Sequence, residues 1–184
     1  KEEWLKYGDS PPKNGSVFIA VDPAGFEDVA DQNDKKHLDN TAIAVVTVDD
    51  EGRWFINKVE YGRWNARETA VRILMNIRTH RPLSVGIEKG SLQRALMPYL
   101  TDQMRKHGVY AHIEPIPISG NKIDRITYAL QGLFEHGRIT LNSREKWDRF
   151  KVEYMAFPSK RAHDDLIDAC SLCAHLIKTS YARQ

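Results

Sequence analysis

Three strand-like runs follow one another within residues 16–62 and limit the possible folds more than any other feature; the first is apolar and rich in β-branched residues. They read SVFIAVD (16–22), TAIAVVTVD (41–49) and RWFINKVEYG (53–62). Their length and composition are typical of β-strands with buried side chains. The short DEG connection between the second and third runs favours a hairpin. The sequence therefore predicts three consecutive antiparallel strands.

Helical and strand patterns alternate through the rest of the chain. Apolar residues recur at helical spacing in 66–80, about 91–107, about 122–136, near 144–153 and 161–176, with RITL (138–141) as a short extension. Two further strands are expected at LSVGIE (83–88) and AHIEPIPI (111–118), and the prolines of the latter favour a sheet edge. The predicted fold is α/β, with a mixed sheet of about five strands, the first three antiparallel, and helices on both faces.

Length and composition indicate one domain. The chain has 184 residues, 41% hydrophobic and 28% charged, with a formal net charge of +2, which is ordinary for a soluble protein with its own core. Residues 1–15 lack periodicity and are expected to be a linker or tail before a domain at 16–184. No apolar run approaches the roughly 20 residues of a membrane span. The net charge is too small to attract nucleic acid by itself.

Two local features have ordinary interpretations. Cys170 and Cys173 lie one helical turn apart, where a disulfide would strain the helix, and there is no second pair for zinc, so core thiols are expected. The loop with Asp28, Asp31 and Asp34 lacks the ligand order of a calcium loop and is expected to be solvated. In the basic run at 144–161, acids including Glu153 leave a salt-bridged helix surface and a DNA-binding face as equal alternatives.

Two predicted strands end in an acid, and the last predicted helix begins with three. Asp22 closes SVFIAVD, Glu88 closes LSVGIE, and Asp164, Asp165 and Asp168 open the helix. Ligands collect beyond the carboxyl ends of strands in α/β sheets. Several carboxylates there would repel one another strongly, and a hard divalent cation such as Mg²⁺ relieves that repulsion. The pattern therefore favours a shared metal site, in which two ions could support phosphodiester cleavage.

A helical wheel separates the three acids of the last helix. The wheel places Asp165 at the border of an apolar stripe, from which a side chain can reach the sheet, and Asp164 and Asp168 roughly opposite that stripe. The stripe consists of Leu166, Cys170, Cys173 and Ile177. For any single acid, charge on a solvated face near a helix N-terminus is the simpler interpretation. The wheel alone leaves the roles of Asp164, Asp165 and Asp168 open.

The motifs VFIAVDPA, VGIEKG and HDDLIDA, in this order, resemble the RNase H-like, RuvC-type nuclease superfamily. More closely, the chain is similar to the C-terminal nuclease domain of phage large terminases from Ser16 onward. The resemblance implies catalytic residues Asp22, Glu88 and Asp165, and a two-metal site for Mg²⁺ or Mn²⁺ that could also include Asp164 and Asp168. In that superfamily the helix tends to carry acids three residues apart followed by Ala, as at Asp165 and Asp168. Because Asp165 also lies at the border of the apolar stripe, it is ranked first as a ligand, and the roles of Asp164 and Asp168 stay open.

The implied activity is that of a metal-dependent DNA endonuclease. Such an enzyme cuts concatemeric viral DNA during genome packaging, with little sequence preference. The implied partners are double-stranded DNA, the ATPase domain of the full-length protein, the portal and the small terminase subunit, in the cytoplasm of the infected host cell and without a membrane. The sequence contains no G-x-x-x-x-G-K-[ST] loop, so an isolated nuclease domain is expected.

Basic residues near the acids are candidate DNA contacts. Lys122 and Arg125 lie one turn apart in GNKIDR, and similar basic pairs occur in terminase nucleases; Lys89 directly follows Glu88. Solvated surface charge is the alternative for all three. Two other functions remain open: a RuvC-like junction resolvase or transposase core, and a non-catalytic DNA-binding or motor-docking module whose acids are structural.

Overall fold

A seven-stranded mixed sheet runs through the computed structural model, which describes residues 1–25, 40–159 and 161–181. The strand order is β1-β7-β4-β3-β2-β5-β6. The strands are β1 (Lys6–Gly8), β2 (Ser16–Asp22), β3 (Thr41–Val48), β4 (Trp54–Gly62), β5 (Ser84–Glu88), β6 (Ile113–Ile116) and β7 (Ile139–Asn142). The expected solvated loop with Asp28, Asp31 and Asp34 lies outside the described residues.

The pairing confirms the main features of the predicted sheet. β2, β3 and β4 pair antiparallel in sequence order. β5 lies parallel to β2, and β6 lies parallel to β5. The proline-containing strand β6 is at a sheet edge, as expected. Because β2 and β5 are parallel neighbours, the acids that end them lie side by side, beyond the carboxyl ends of the two strands.

Two strands were not predicted, so the sheet has seven strands where about five were expected. β7 covers most of RITL, lies parallel to β4, and has only four residues. β1 has three residues and lies parallel to β7. The segment 1–15, expected to be a linker or tail, therefore contributes an edge strand. Strands this short have too few residues to show an alternating pattern, and their pairing comes from tertiary contacts.

Helices cover both faces of the sheet, as predicted. They are α1 (Ala66–His80), α2 (Ser91–His107), α3 (Lys122–Glu135), α4 (Asp148–Ala156) and α5 (Asp165–Tyr181), preceded by a 3₁₀ turn at Glu2–Trp4. α1 and α2 bury one face, and α3, α4 and α5 bury the other. Asn65 and Glu68 form a capping box at the start of α1. No helix in the described part of the chain is long and apolar enough to cross a membrane.

The position of α5 differs from the wheel-based expectation. α5 contacts β2 and β3 on one side, and α3 and α4 on other sides. Every residue from 165 to 173 is consequently buried, and Asp168 is only 1% exposed. The expectation that Asp168 could lie on a solvated face was wrong, because α3 and α4 cover the side away from the apolar stripe. Cys170 and Cys173 are buried free thiols, as expected.

Candidate metal centre

Asp22, Glu88 and Asp168 come together beyond the carboxyl ends of β2 and β5. Asp22 is the last residue of β2 and Glu88 the last residue of β5. Asp168 projects from the first turn of α5. One carboxylate oxygen from each of the three residues lies within 4.8 Å of the other two. Oxygen donors at this spacing can share a hard cation.

Electrostatic repulsion makes this group of acids unfavourable without a counter-charge. Burial raises the pKa of Asp22 well above its ordinary value, and the negative charge of Asp168 and a side-chain hydrogen bond with Glu88 raise it further. The charge of Glu88 acts in the same direction, while Lys122 opposes it. A divalent cation would remove the repulsion and favour the ionised form of Asp22. The carboxylate donors and their electrostatics therefore fit Mg²⁺ or Mn²⁺.

Asp168 is held by three donors. Its Oδ1 accepts hydrogen bonds from Arg125 Nη2 at 2.8 Å and from Ser171 Oγ at 2.9 Å. Its Oδ2 lies 3.3 Å from Lys122 Nζ. Ser171 Oγ also contacts the backbone oxygen of Asp168, at 2.7 Å. A buried carboxylate with contacts on both oxygens keeps one orientation, which suits a metal ligand.

Asp164 and Asp165 occupy different surroundings. Asp164 is partly exposed, and its Oδ1 lies 2.7 Å from Lys122 Nζ. Asp165 is 3% exposed, and its Oδ2 accepts the backbone N–H of Asn40 at 3.0 Å. The structure therefore brings Asp168, rather than the first-ranked Asp165, together with Asp22. The apolar stripe shows which side of α5 faces the sheet, but it does not show which side faces the strand ends.

The basic candidates lie at different positions relative to the acids. Lys122 begins α3 and contacts both Asp164 and Asp168. Burial alone would lower the pKa of Lys122, but a hydrogen bond to Asp164 and the charges of Asp168, Asp164 and Asp22 outweigh burial and raise it. Arg125, one turn further, contacts Asp168. Lys89 is exposed beside Glu88, and its backbone N–H donates to Ile116.

Sequence reasoning missed two supporting residues, Ser171 and Glu153. Glu153 in α4 is 1% exposed, and its Oε2 accepts the backbone N–H groups of Leu166 at 2.8 Å and Ile167 at 3.4 Å. Burial raises the pKa of Glu153, although these hydrogen bonds and the charge of Arg149 oppose the increase. Two alternatives were expected for 144–161, a salt-bridged surface and a DNA-binding face, and neither predicts this buried contact. Nothing in the local sequence distinguishes Glu153 from a surface acid.

The fold is that of an RNase H-like domain, and comparison with known families specifies which one. The model of the terminase RNase H-like domain family matches residues 19–176. The chain belongs to this family. No curated protein sequence matches the chain significantly.

Solved structures with the same fold include two phage nucleases and a poxvirus enzyme. The large terminase nuclease of thermophilic phage G20c, with bound magnesium, is 14% identical, with a TM-score of 0.59 and coverage of 93% of this chain and 90% of that chain. The large terminase nuclease domain of bacterial virus Sf6, with manganese and beta-thujaplicinol, is 12% identical (TM-score 0.61, coverage 89% and 90%). The fowlpox virus Holliday junction resolvase is 13% identical (TM-score 0.52, coverage 89% and 99%). At these identities, the similarity establishes the fold.

Proposed function

We propose that the chain is a metal-dependent DNA endonuclease that cuts concatemeric viral DNA during genome packaging, with little sequence preference. The observation that carries this proposal is the meeting of Asp22, Glu88 and Asp168 at the ends of β2, β5 and α5. Membership of the terminase family supports it. So does the presence of magnesium or manganese in the similar phage nuclease structures.

The proposed ligands are Asp22, Glu88 and Asp168, with Asp164 at the rim of the same site. Two divalent ions, as the family resemblance implies, would polarise the scissile phosphate and activate an attacking water. Asp165 was the first-ranked ligand from sequence, but its carboxylate is engaged by the Asn40 backbone. We therefore propose that Asp165 holds the backbone at Asn40 against α5. The cation would be Mg²⁺ or Mn²⁺, since both accept carboxylate oxygens.

The basic residues have two separate roles in this proposal. Arg125 is only 21% exposed at its side chain and contacts Asp168, so it orients that carboxylate. The Lys122 side chain is 42% exposed and can exchange its contact with Asp164 for a DNA phosphate. The second proposed phosphate contact is Lys89, whose exposure beside Glu88 supports this role. Phosphate contacts of this kind orient DNA without reading its sequence.

The proposed biological setting follows from the family. The partners are double-stranded DNA, the ATPase domain of the full-length protein, the portal and the small terminase subunit. The reaction would take place in the cytoplasm of the infected host cell. A resolvase is the second candidate, favoured by the similarity of the fold to the fowlpox virus enzyme over 99% of that chain.

Cleavage of three DNA substrates, a plasmid, a four-way junction and a linear duplex, tests the proposal. We expect the protein to nick and then linearise plasmid DNA with Mn²⁺, more slowly with Mg²⁺, and little with Ca²⁺, whose larger and more variable shell orients water less strictly. A four-way junction and a linear duplex of equal length should be cut at similar rates. Strong preference for the junction would support the resolvase instead. No cleavage of any of the three substrates in any metal would favour the docking-module alternative.

A further inference from the structure

The N-terminus of α5 is capped in an unusual way. The backbone oxygen of Asp164 accepts the N–H of Asp168 at 2.8 Å, which places Asp164 at the N-cap position. An Asp at this position ordinarily accepts the second or third N–H of its own helix. Here the Asp164 carboxylate is 2.7 Å from Lys122 Nζ instead. The two backbone N–H groups that it would cap, those of Leu166 and Ile167, donate to Glu153.

We propose that Glu153 is a positioning residue for the candidate metal centre: from α4 it holds the first turn of α5, keeps Asp168 in place beside Asp22 and Glu88, and leaves the Asp164 carboxylate free to hold Lys122. The inference rests on the proposed metal-dependent function. Glu153 does not touch the acid group of Asp22, Glu88 and Asp168, so its effect is transmitted through the backbone of α5.

The surroundings of Glu153 make it a rigid support. Its side chain is 1% exposed, and its Oε1 lies 3.3 Å from Arg149 Nε, one turn earlier in α4. α4 itself is anchored by aromatic packing: Phe150 and Tyr154 both pack against Phe134 of α3, with ring centroids 6.5 and 5.0 Å apart. A helix fixed in this way can locate a neighbouring helix end accurately. The negative charge also suits the positive end of the α5 dipole.

The contact between Glu153 and α5 lies next to Asp168 in the chain, so it affects the position of Asp168. Leu166 and Ile167 immediately precede Asp168, so any displacement of the first turn moves the Asp168 carboxylate with it. That carboxylate has little tolerance for movement, because Arg125, Ser171 and Lys122 all contact it. Loss of the Glu153 acceptor would leave two buried N–H groups without this partner. The first turn would then have to rotate toward another acceptor, and the nearest in sequence is the Asp164 carboxylate.

The test is the affinity for Mn²⁺, measured by calorimetric titration below the melting temperature. Glu153→Met removes the oxygens at similar side-chain length, and we expect Mn²⁺ to bind about 10- to 100-fold more weakly, the usual effect of losing a residue that supports a ligand. Glu153→Gln keeps an acceptor oxygen and should bind Mn²⁺ nearly as well as the parent. Amide hydrogen exchange at Leu166 and Ile167 should quicken in Glu153→Met and much less in Glu153→Gln.

Ile73→Val is the matched control. Ile73 is fully buried in α1, in the core on the opposite face of the sheet from α4 and α5. It should lower the melting temperature while leaving the Mn²⁺ affinity unchanged. If Glu153→Met does not fold, Glu153→Asp replaces it: the shorter side chain withdraws the carboxylate, and about tenfold weaker Mn²⁺ binding is expected.

Each outcome has a definite meaning. Parent-like Mn²⁺ affinity in folded Glu153→Met, or in Glu153→Asp if that variant is used, would overturn the positioning role while leaving the proposed function intact. An equal loss in Ile73→Val would also overturn it, because the effect would then be one of general stability. If the parent itself binds no Mn²⁺, the proposed function fails and the positioning role fails with it.

Discussion

At the scale of single residues, Asp22 should determine how the metal-free protein responds to pH. Burial and the neighbouring charges raise its pKa in the folded state, so the folded protein holds this proton more tightly than the unfolded chain does. Below the unfolded pKa of about 3.9 the residue imposes no penalty. As the pH rises from there through the raised folded pKa, its ionisation destabilises the fold. In EDTA, Asp22→Asn should therefore melt above the parent at neutral pH, and the difference should shrink toward about pH 4.

The same residue should control stabilisation by metal. A cation that binds only the folded state raises the melting temperature by mass action, so Mn²⁺ should stabilise the parent. Asp22→Asn should lose most of this increase. Asp102→Asn, an exposed acid of α2, is the control and should keep it. Equal Mn²⁺-induced increases in the parent and in Asp22→Asn would contradict the ligand assignment.

Glu60 gives a second test of how folding stability depends on pH, at a position away from the candidate metal centre. It joins β4 to α1 through hydrogen bonds from Arg72 and Asn76. Burial alone would raise the pKa of Glu60, but these hydrogen bonds and the charges of Lys58 and Arg72 lower it below its ordinary value. The stabilisation is therefore present above the unfolded pKa and lost as the pH falls through the folded pKa. Glu60→Gln should lose about 1 kcal/mol at neutral pH, since Arg72 is partly solvated.

The measurement for Glu60 is urea unfolding of parent and variant at two pH values. The loss of stability in Glu60→Gln should be clear at neutral pH. It should largely disappear in acid, where the Glu60 carboxyl group of the parent is protonated and therefore uncharged, like the glutamine. A loss of the same size at both pH values would show that the charge of Glu60 does not contribute.

At the scale of elements, the contact of α5 and β6 with β5 depends on Gly86. A Cβ on Gly86 would lie 2.4 Å from Ile116 Cδ1 and 2.6 Å from Leu176 Cδ2, and both of these side chains are fully buried. Gly86→Ala should therefore destabilise the protein by about 1–3 kcal/mol through overpacking. Gly132→Ala is the matched control, because Gly132 is exposed within α3 and its Cβ would meet nothing within 4 Å. It should instead stabilise by about 0.5–1 kcal/mol.

Chemical denaturation of the two alanine variants provides the comparison. The opposite signs matter more than the sizes, since both changes add one methyl group to a glycine. If Gly86→Ala were as stable as the parent, β5 and α5 could move apart without loss of stability. The close packing of α5 on the sheet would then not constrain the candidate metal centre.

The elements also show which parts of the fold could be read from sequence. β2 to β5 coincide with strand-like runs in the sequence, so they were predictable, and Asp22 and Glu88 followed because they end two of these runs. β1 and β7 have three and four residues, too few for a period, and depend on pairing with distant strands. Asp168 could not be separated from Asp165, because its burial depends on the packing of α3 and α4. Glu153 acts across 13 residues of sequence, a contact that no local pattern encodes.

At the scale of the whole molecule, DNA binding should depend on local charge, since the net charge is only +2. Each phosphate contact releases counterions, so losing one makes the salt dependence of binding shallower by about one unit of slope. Lys89→Ala should show this change, and adding Lys122→Ala should increase it. Lys106→Ala, at the other end of α2 from Glu88, should leave the slope unchanged. A parent-like slope in the double variant would show that neither lysine contacts a DNA phosphate and that both are ordinary surface charges.

Arg125 needs separate treatment in that experiment. It contacts Asp168, so Arg125→Ala should weaken metal binding as well as DNA binding. Measuring DNA affinity in EDTA separates the two effects, because only a direct phosphate contact changes the salt slope without metal. A parent-like slope in EDTA would assign Arg125 solely to orienting Asp168.

The most direct test of the proposed metal centre is a plasmid cleavage time course at matched Mn²⁺ concentration. It compares the parent with Asp22→Asn, Glu88→Gln, Asp168→Asn and Asp165→Asn, each first shown to be folded by circular dichroism. We predict that the first three lose at least about 100-fold in rate, because each removes a charge from the shared site. Asp165→Asn keeps an oxygen for the Asn40 N–H and should cut faster than Asp168→Asn. A parent that is inert in every metal, or an Asp168→Asn variant that cuts as fast as the parent, would contradict the assignment.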